Sequence, residues 1–130
     1  MSYYIAKTVT GAFDAVVADV TAQLKIQGFG VLTDIDVQAT LRSKLGAETP
    51  KYRILGACNP HFAHEALQIE NKLGVLLPCN VIVRETADHR VEVASVDPVA
   101  AMERTGNPAL LATAEEVRRL LSVAVSQVGA

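Results

Sequence analysis

The sequence predicts an α+β fold: a single twisted, mainly antiparallel sheet with helices packed on one face, in the order β-α-β-α-β-α-β-β-α. Three observations lead there. Segments rich in β-branched and aromatic residues alternate with segments whose apolar positions recur every three or four residues. Two strand-like runs, Val81–Glu85 and Arg90–Val96, flank the turn Ala87-Asp88-His89 and read as a hairpin. The chain has 130 residues, half of them hydrophobic, which suits a single domain over residues 1–130 with one core.

Each element has a local reason. Tyr3 to Val9 mixes aromatic and β-branched residues and predicts a strand, broken by Gly11. Phe13, Val16, Val17, Val20 and Leu24 form a helical stripe within Phe13–Gln27. Asp14 early and Lys25 late suit the helix dipole, and Gly28 ends the helix. Phe29 to Leu32 reads as a short strand, Asp34-Ile35-Asp36 as a turn, and Val37 to Leu45 as a second helix stopped by Gly46. Pro50 marks a loop before a strand over Lys51–Ala57. Asn59 then stands where an N-cap belongs and Pro60 at the first helical position. That third helix is expected to reach about Asn71, leaving through Lys72-Leu73-Gly74. After the hairpin, Asp97-Pro98 repeats the cap-and-proline signal and opens a short helix ending near Gly106. Asn107-Pro108 makes a joint. Thr113-Ala114-Glu115-Glu116 has the form of a capping box and predicts the start of the last helix, with Val117, Leu120, Leu121, Ala124 and Val128 along one side.

Composition narrows the function classes. The net charge is −2, with no basic cluster, no Trp and 5% aromatic residues. Neither phosphate neutralisation nor base stacking is provided for, so nucleic acid is not expected as a partner. No apolar stretch reaches the roughly 18–20 residues a membrane helix needs, and no membrane partner is expected. The first residues, Met1-Ser2-Tyr3-Tyr4, lack the charged and apolar regions of a signal peptide, so the cytoplasm is the expected location. There the two cysteines, Cys58 and Cys79, are expected as free thiols. The outer sheet face is expected to carry surplus apolar surface, from Val81, Val83, Val91 and Val93 or their alternating neighbours. A second copy covering it would make a homodimer.

Chemistry-bearing residues gather at one junction. Ile54-Leu55-Gly56-Ala57-Cys58-Asn59-Pro60-His61-Phe62-Ala63-His64-Glu65 ends a strand and begins a helix, and holds one of two cysteines and two of three histidines. Cys79 lies in a comparable setting, Leu76-Leu77-Pro78-Cys79-Asn80. Cys58, His61, His64 and Cys79 would form a two-sulfur, two-nitrogen set suited to zinc or another soft metal, and one Cys or His could serve a haem iron as axial ligand. Cys58 precedes a helix N-terminus, which favours a thiolate and redox use. Paired Cys-x-x-Cys knuckles are missing, however, and buried free cysteines commonly pack as small hydrophobes. Cys58, Asn59, His64 and Cys79 are therefore the candidate ligand-binding residues, for an unspecified small molecule or partner. No catalytic group is assigned, because Cys58 with either histidine lacks a third, orienting residue. Gly28-Phe29-Gly30 follows a helix and is no dinucleotide fingerprint. Asp34 and Asp36 read as solvated turn residues, and His89 as exposed.

Three segments carry a family resemblance: Gly28-Phe29-Gly30-Val31-Leu32-Thr33-Asp34-Ile35-Asp36-Val37, Tyr52-Arg53-Ile54-Leu55-Gly56-Ala57-Cys58-Asn59-Pro60, and Leu76-Leu77-Pro78-Cys79-Asn80-Val81. In this order they resemble the prokaryotic domain-of-unknown-function 302 family over nearly the whole chain. The resemblance implies a TATA-binding-protein-like α+β fold, a homodimer, and no established activity. Cys58, Asn59, Pro60, Ala63, His64, Leu77, Pro78 and Cys79 match the family pattern. His61 stands where a second proline is common there, which separates it from the pattern.

Overall fold

In the computed structural model, which describes residues 2–130, five strands form one antiparallel sheet ordered β1-β5-β4-β3-β2. The strands are β1 (Tyr4–Val9), β2 (Gly30–Asp36), β3 (Tyr52–Cys58), β4 (Cys79–Glu85) and β5 (Val91–Val96). The helices are α1 (Phe13–Ile26), α2 (Val37–Leu45), α3 (Pro60–Ile69), α4 (Pro98–Glu103) and α5 (Leu111–Gln127). The expected architecture and element order are found. No helix among the described residues is long and apolar enough to cross a membrane.

Strand alternation decides which face is covered. Val81, Val83, Val91 and Val93 are all buried, and the register pairs Val83 with Val93. They point to the face that α1 and α5 cover. The stripe read from the sequence of α1 (Phe13, Val16, Val17, Val20, Leu24) meets them there, together with Leu121, Ala124 and Val125 of α5. At roughly 25 cal/mol for each square ångström of apolar surface buried, this layer is the main source of stability. Tyr52, Ile54, Ile82, Ala94 and Val96 alternate onto the opposite face, where none is fully buried. Asn80 and the ion pair Arg84–Glu92, 2.7 Å, interrupt that apolar strip.

Four local expectations are corrected. Asp34-Ile35-Asp36 is strand, not turn: β2 pairs with β3 through Asp36 opposite Arg53, and a bulge between Val31 and Thr33 adjusts the register. Asp36 then caps α2 by accepting from the backbone N–H of Ala39. α3 ends at Ile69, and a 3-10 turn over Leu73–Leu76 follows. β4 begins at Cys79, because Cys79 pairs with Ala57 of β3. α5 begins at Leu111, before the Thr113 box. A 3-10 turn over Pro108–Leu110, capped by Asn107, feeds directly into it, so Thr113 lies inside the helix and its hydroxyl is free for another partner. The Asp97-Pro98 signal, in contrast, is realised: the Asp97 carboxylate accepts from the N–H groups of Val99 and Ala100. The same buried carboxylate meets Arg118 of α5 at 3.1 Å, fastening α4 to α5.

Candidate functional site

The site grows from the ends of two neighbouring strands. β3 runs Leu55-Gly56-Ala57-Cys58, and Asn59-Pro60 turn the chain into α3. Gly56 is dictated by crowding. A Cβ there would stand 2.1 Å from Thr33 Oγ1 and 2.8 Å from Pro78 Cγ, contacts no side chain tolerates. Its lack of a side chain lets Pro78 fold across β3, and β4 starts one residue later at Cys79. Cys58 and Cys79 are thus near neighbours, since Cys79 lies directly across from Ala57.

α3 leaves this corner and packs against the first half of α5. The contact uses small residues: Ala66 of α3 meets Ala114 of α5 in a cluster with Leu73, Met102 and Leu110. Thr113 donates its hydroxyl to Glu65 Oε1 at 2.9 Å, the polar tie between the two helices. Small side chains leave a gap. A cavity of about 330 Å³ lies between α3, α5 and the ends of β3 and β4. Its apolar wall includes Phe62 and Ala63 of α3, Ala114 and Val117 of α5, Phe29, Leu77 and Met102. Its polar lining consists of Cys58, Asn59, Cys79 and Thr113, and no charged side chain lines it.

The polar groups differ in state. Cys79 is buried, and loss of solvent, with a smaller contribution from Cys58, pushes its thiol up to about 11. It is a neutral thiol at physiological pH. Cys58 is half-buried and free. Asn59 occupies the N-cap position of α3, but its side chain makes no capping bond. Its amide packs instead toward Gly28, whose φ of +89° is the left-handed region that glycine enters without strain. The first N–H groups of α3 consequently have no side-chain cap.

Of the four residues expected to hold a metal, Cys58 and Cys79 meet at the cavity and the histidines do not. His61 and His64 are exposed and absent from the cavity wall. His64 lies 3.4 Å from Gln68 along the same helix. Among the described residues no group of three or more His, Cys, Asp or Glu side chains is placed to hold a metal ion. The physical reason is the helix: the first turn of α3 carries both imidazoles around its outer side, while Phe62, Ala63 and Ala66 take the inner one. A porphyrin would stand mostly outside a space of 330 Å³, roughly twice that of a cavity that accommodates benzene. His89 is exposed at the hairpin tip. Asp34 takes part in a surface pair, with Arg53 Nε donating to it at 2.8 Å.

Sequence reasoning missed the cavity wall. Val117 was legible as a core position, but nothing local says that it borders a space walled on the other side by the small residues Ala63 and Ala66. The run of small residues on the inner side of α3 was the available signal.

Comparison with known proteins follows the geometry. No curated protein matches the chain. The fold superposes on the crystal structure of an uncharacterized conserved protein DUF302 from Bacillus stearothermophilus with a TM-score of 0.93. The two are 23% identical over 98% of this chain and 99% of that one, a likeness of fold. The family model for the domain of unknown function DUF302 matches residues 5–128, which includes every strand but the first residue of β1 and every helix. The chain belongs to the DUF302 family.

Proposed function

We propose that this protein is a binding module that takes a small molecule into the cavity between α3, α5 and the ends of β3 and β4. One observation carries the reading: a 330 Å³ space walled by apolar side chains, with Cys58, Asn59, Cys79 and Thr113 as its few polar lining residues. Small-molecule sites begin at about 300 Å³ and combine an apolar wall with a small number of placed polar groups. Cys58, Asn59 and Cys79 are the ligand-facing residues of this reading. The free state of both thiols fits a reducing, cytoplasmic setting. The neutral fluorophore naphthylamine tests it. Its emission should rise and saturate with the wild-type protein. Ala63→Phe, which fills the space from a half-exposed position, should abolish the rise with little change in melting temperature. An equal response from both proteins removes the reading.

A second reading concerns the other face of the sheet. Tyr4, Tyr52, Ile54, Ile82 and Ala94 line a strip of that face whose residues are only partly buried or exposed, and Tyr4 is 47% exposed. A second copy seated there would form a homodimer, and a two-fold arrangement would let Arg84 and Glu92 of the two copies exchange partners. Light scattering at micromolar concentration should give twice the chain mass, and Ile82→Asp should halve it. A wild-type monomer ends this reading without touching the first.

A further inference from the structure

The residues around the cavity sort by exposure into a mouth and an interior. Leu32 is 68% exposed and Leu67 39%, and both line the space, as does the exposed Gly74. Met102, in contrast, is 8% exposed, Ala66 3% and Ala114 1%. The space therefore opens between the β2 bulge, α3 and the 3-10 turn that holds Gly74, and it closes against α4 and α5. Beside Gly74, Val75 and Leu76 are exposed as well, so apolar surface continues from the interior out past the mouth. Contiguous exposed apolar surface of this kind marks where a hydrocarbon group makes contact.

Nothing inside answers a polar head group. No Asp, Glu, Lys, Arg or His lines the space, so a charge carried inward would lose its water and gain no counter-charge. The polar residues of the wall are engaged or weak. Thr113 donates its hydroxyl to Glu65. The Asn59 amide nitrogen lies against Gly28, which is outside the lining. Cys58 and Cys79 are free thiols, poor donors and poor acceptors. Recognition falls to the hydrocarbon part of the ligand, and the closed end limits its length. Met102 and Ala114 line this cavity and also a second space of about 440 Å³, which Val99 and Pro108 border. The unbranched, flexible Met102 is the larger part of that partition. Scaled from a cavity of roughly 150 Å³ that holds benzene, 330 Å³ holds about a dozen carbon atoms.

We infer that the ligand is an amphiphile whose linear hydrocarbon chain, about a dozen carbons long, fills the cavity while its polar end stays in water at the Leu32–Leu67 mouth, and that Met102 sets the chain length. This rests on the binding reading above and narrows it to one chemical class.

A chain series with one head group tests it, by calorimetric titration below the micellar concentrations. From octanoate through decanoate to dodecanoate, affinity should rise about fourfold for each added methylene. Dodecanoate and tetradecanoate should then bind wild type within twofold of each other. In Met102→Ala the rise should continue, with tetradecanoate at least fivefold tighter than dodecanoate. Met102→Leu, which keeps the partition, should retain the wild-type plateau and guards against a folding defect in the alanine variant. Decyltrimethylammonium, with the opposite head charge, should bind within fivefold of decanoate. Affinity independent of chain length, a head-charge preference above fivefold, or a plateau in Met102→Ala unchanged from wild type overturns the inference. If naphthylamine saturates the cavity while chain length has no effect, the ligand class falls and the binding module stands. If naphthylamine also fails, both fall.

Discussion

The two halves of α5 cover different interiors. Its second half places Leu121, Ala124, Val125 and Val128 on the sheet beside α1, whose stripe consists of Phe, Val and Leu, and the space between is filled. Its first half places Thr113, Ala114 and Val117 toward α3, whose inner residues Ala63 and Ala66 are small, and a cavity remains beside the contact of Ala66 with Ala114. One helix, continuous in backbone and in apolar stripe, thus seals a core at one end and roofs a pocket at the other. Side-chain volume on the facing helix makes the difference. Interiors pack to near-crystalline density where volumes match, and a void costs dispersion contacts that the fold would otherwise gain. A fold that keeps such a void gives up stability there, a cost the proposed binding role would account for.

The comparison can be broken most directly by truncating each half. Leu121→Ala, in the filled half where the residue is fully buried, should cost about 3–5 kcal/mol in urea unfolding. Met102→Ala already borders the void and should cost only about 2 kcal/mol. Equal losses would show that the two halves are packed alike.

Next in size is the buried thiol at the pocket corner. Its folded value of about 11 lies above its unfolded value of 9.0, because burial disfavours the thiolate. The folded protein therefore holds a proton that the unfolded chain has released. The contribution is complete below pH 9 and lost as the pH rises through 11, on the order of 2–3 kcal/mol. Stability measured between those values should fall more steeply for wild type than for Cys79→Ala. Parallel slopes would mean that solvent reaches Cys79 freely.

Filling substitutions sharpen the contrast further. Ala124→Leu, in the filled half, should destabilise by about 1–3 kcal/mol through overpacking. Ala63→Leu, at the pocket, should stay within about 1 kcal/mol of wild type or gain stability. A similar penalty at both positions would deny the void its room.

The smallest effect lies away from both halves, at the sheet edge. The Arg53 side chain bonds Asp34 and holds its carboxyl below the usual range, against a smaller opposing effect of burial. The resulting stability is present above the unfolded value of 3.8 and is lost as the pH falls through the lower folded value. The pair is partly solvated, so Asp34→Asn should cost less than about 1 kcal/mol at pH 7 and flatten the acid limb of the profile only slightly. A larger loss would mark the edge pair as part of the core's support.

Sequence alone determined the class of fold, the element order and the core stripe of α1, because periodicity and chain punctuation are local. Phe13, Val16, Val17, Val20 and Leu24 repeat at helical spacing wherever the helix lies, and Asp97-Pro98 and Val37–Leu45 followed by Gly46 carry their own start and stop signals. The same local logic misread Asp34-Ile35-Asp36 and Thr113: cross-strand pairing with β3 extends the first, and a preceding 3-10 turn and the distant Glu65 claim the second. It also drew His61 and His64 toward Cys58, since spacing along a chain does not say which side of a helix faces inward. Only the tertiary structure decided that the thiols share a corner without the imidazoles, and that alanines of α3 and α5 border a cavity. Both depend on residues brought together from elements far apart in the chain, where the decisive quantity is the volume left between them.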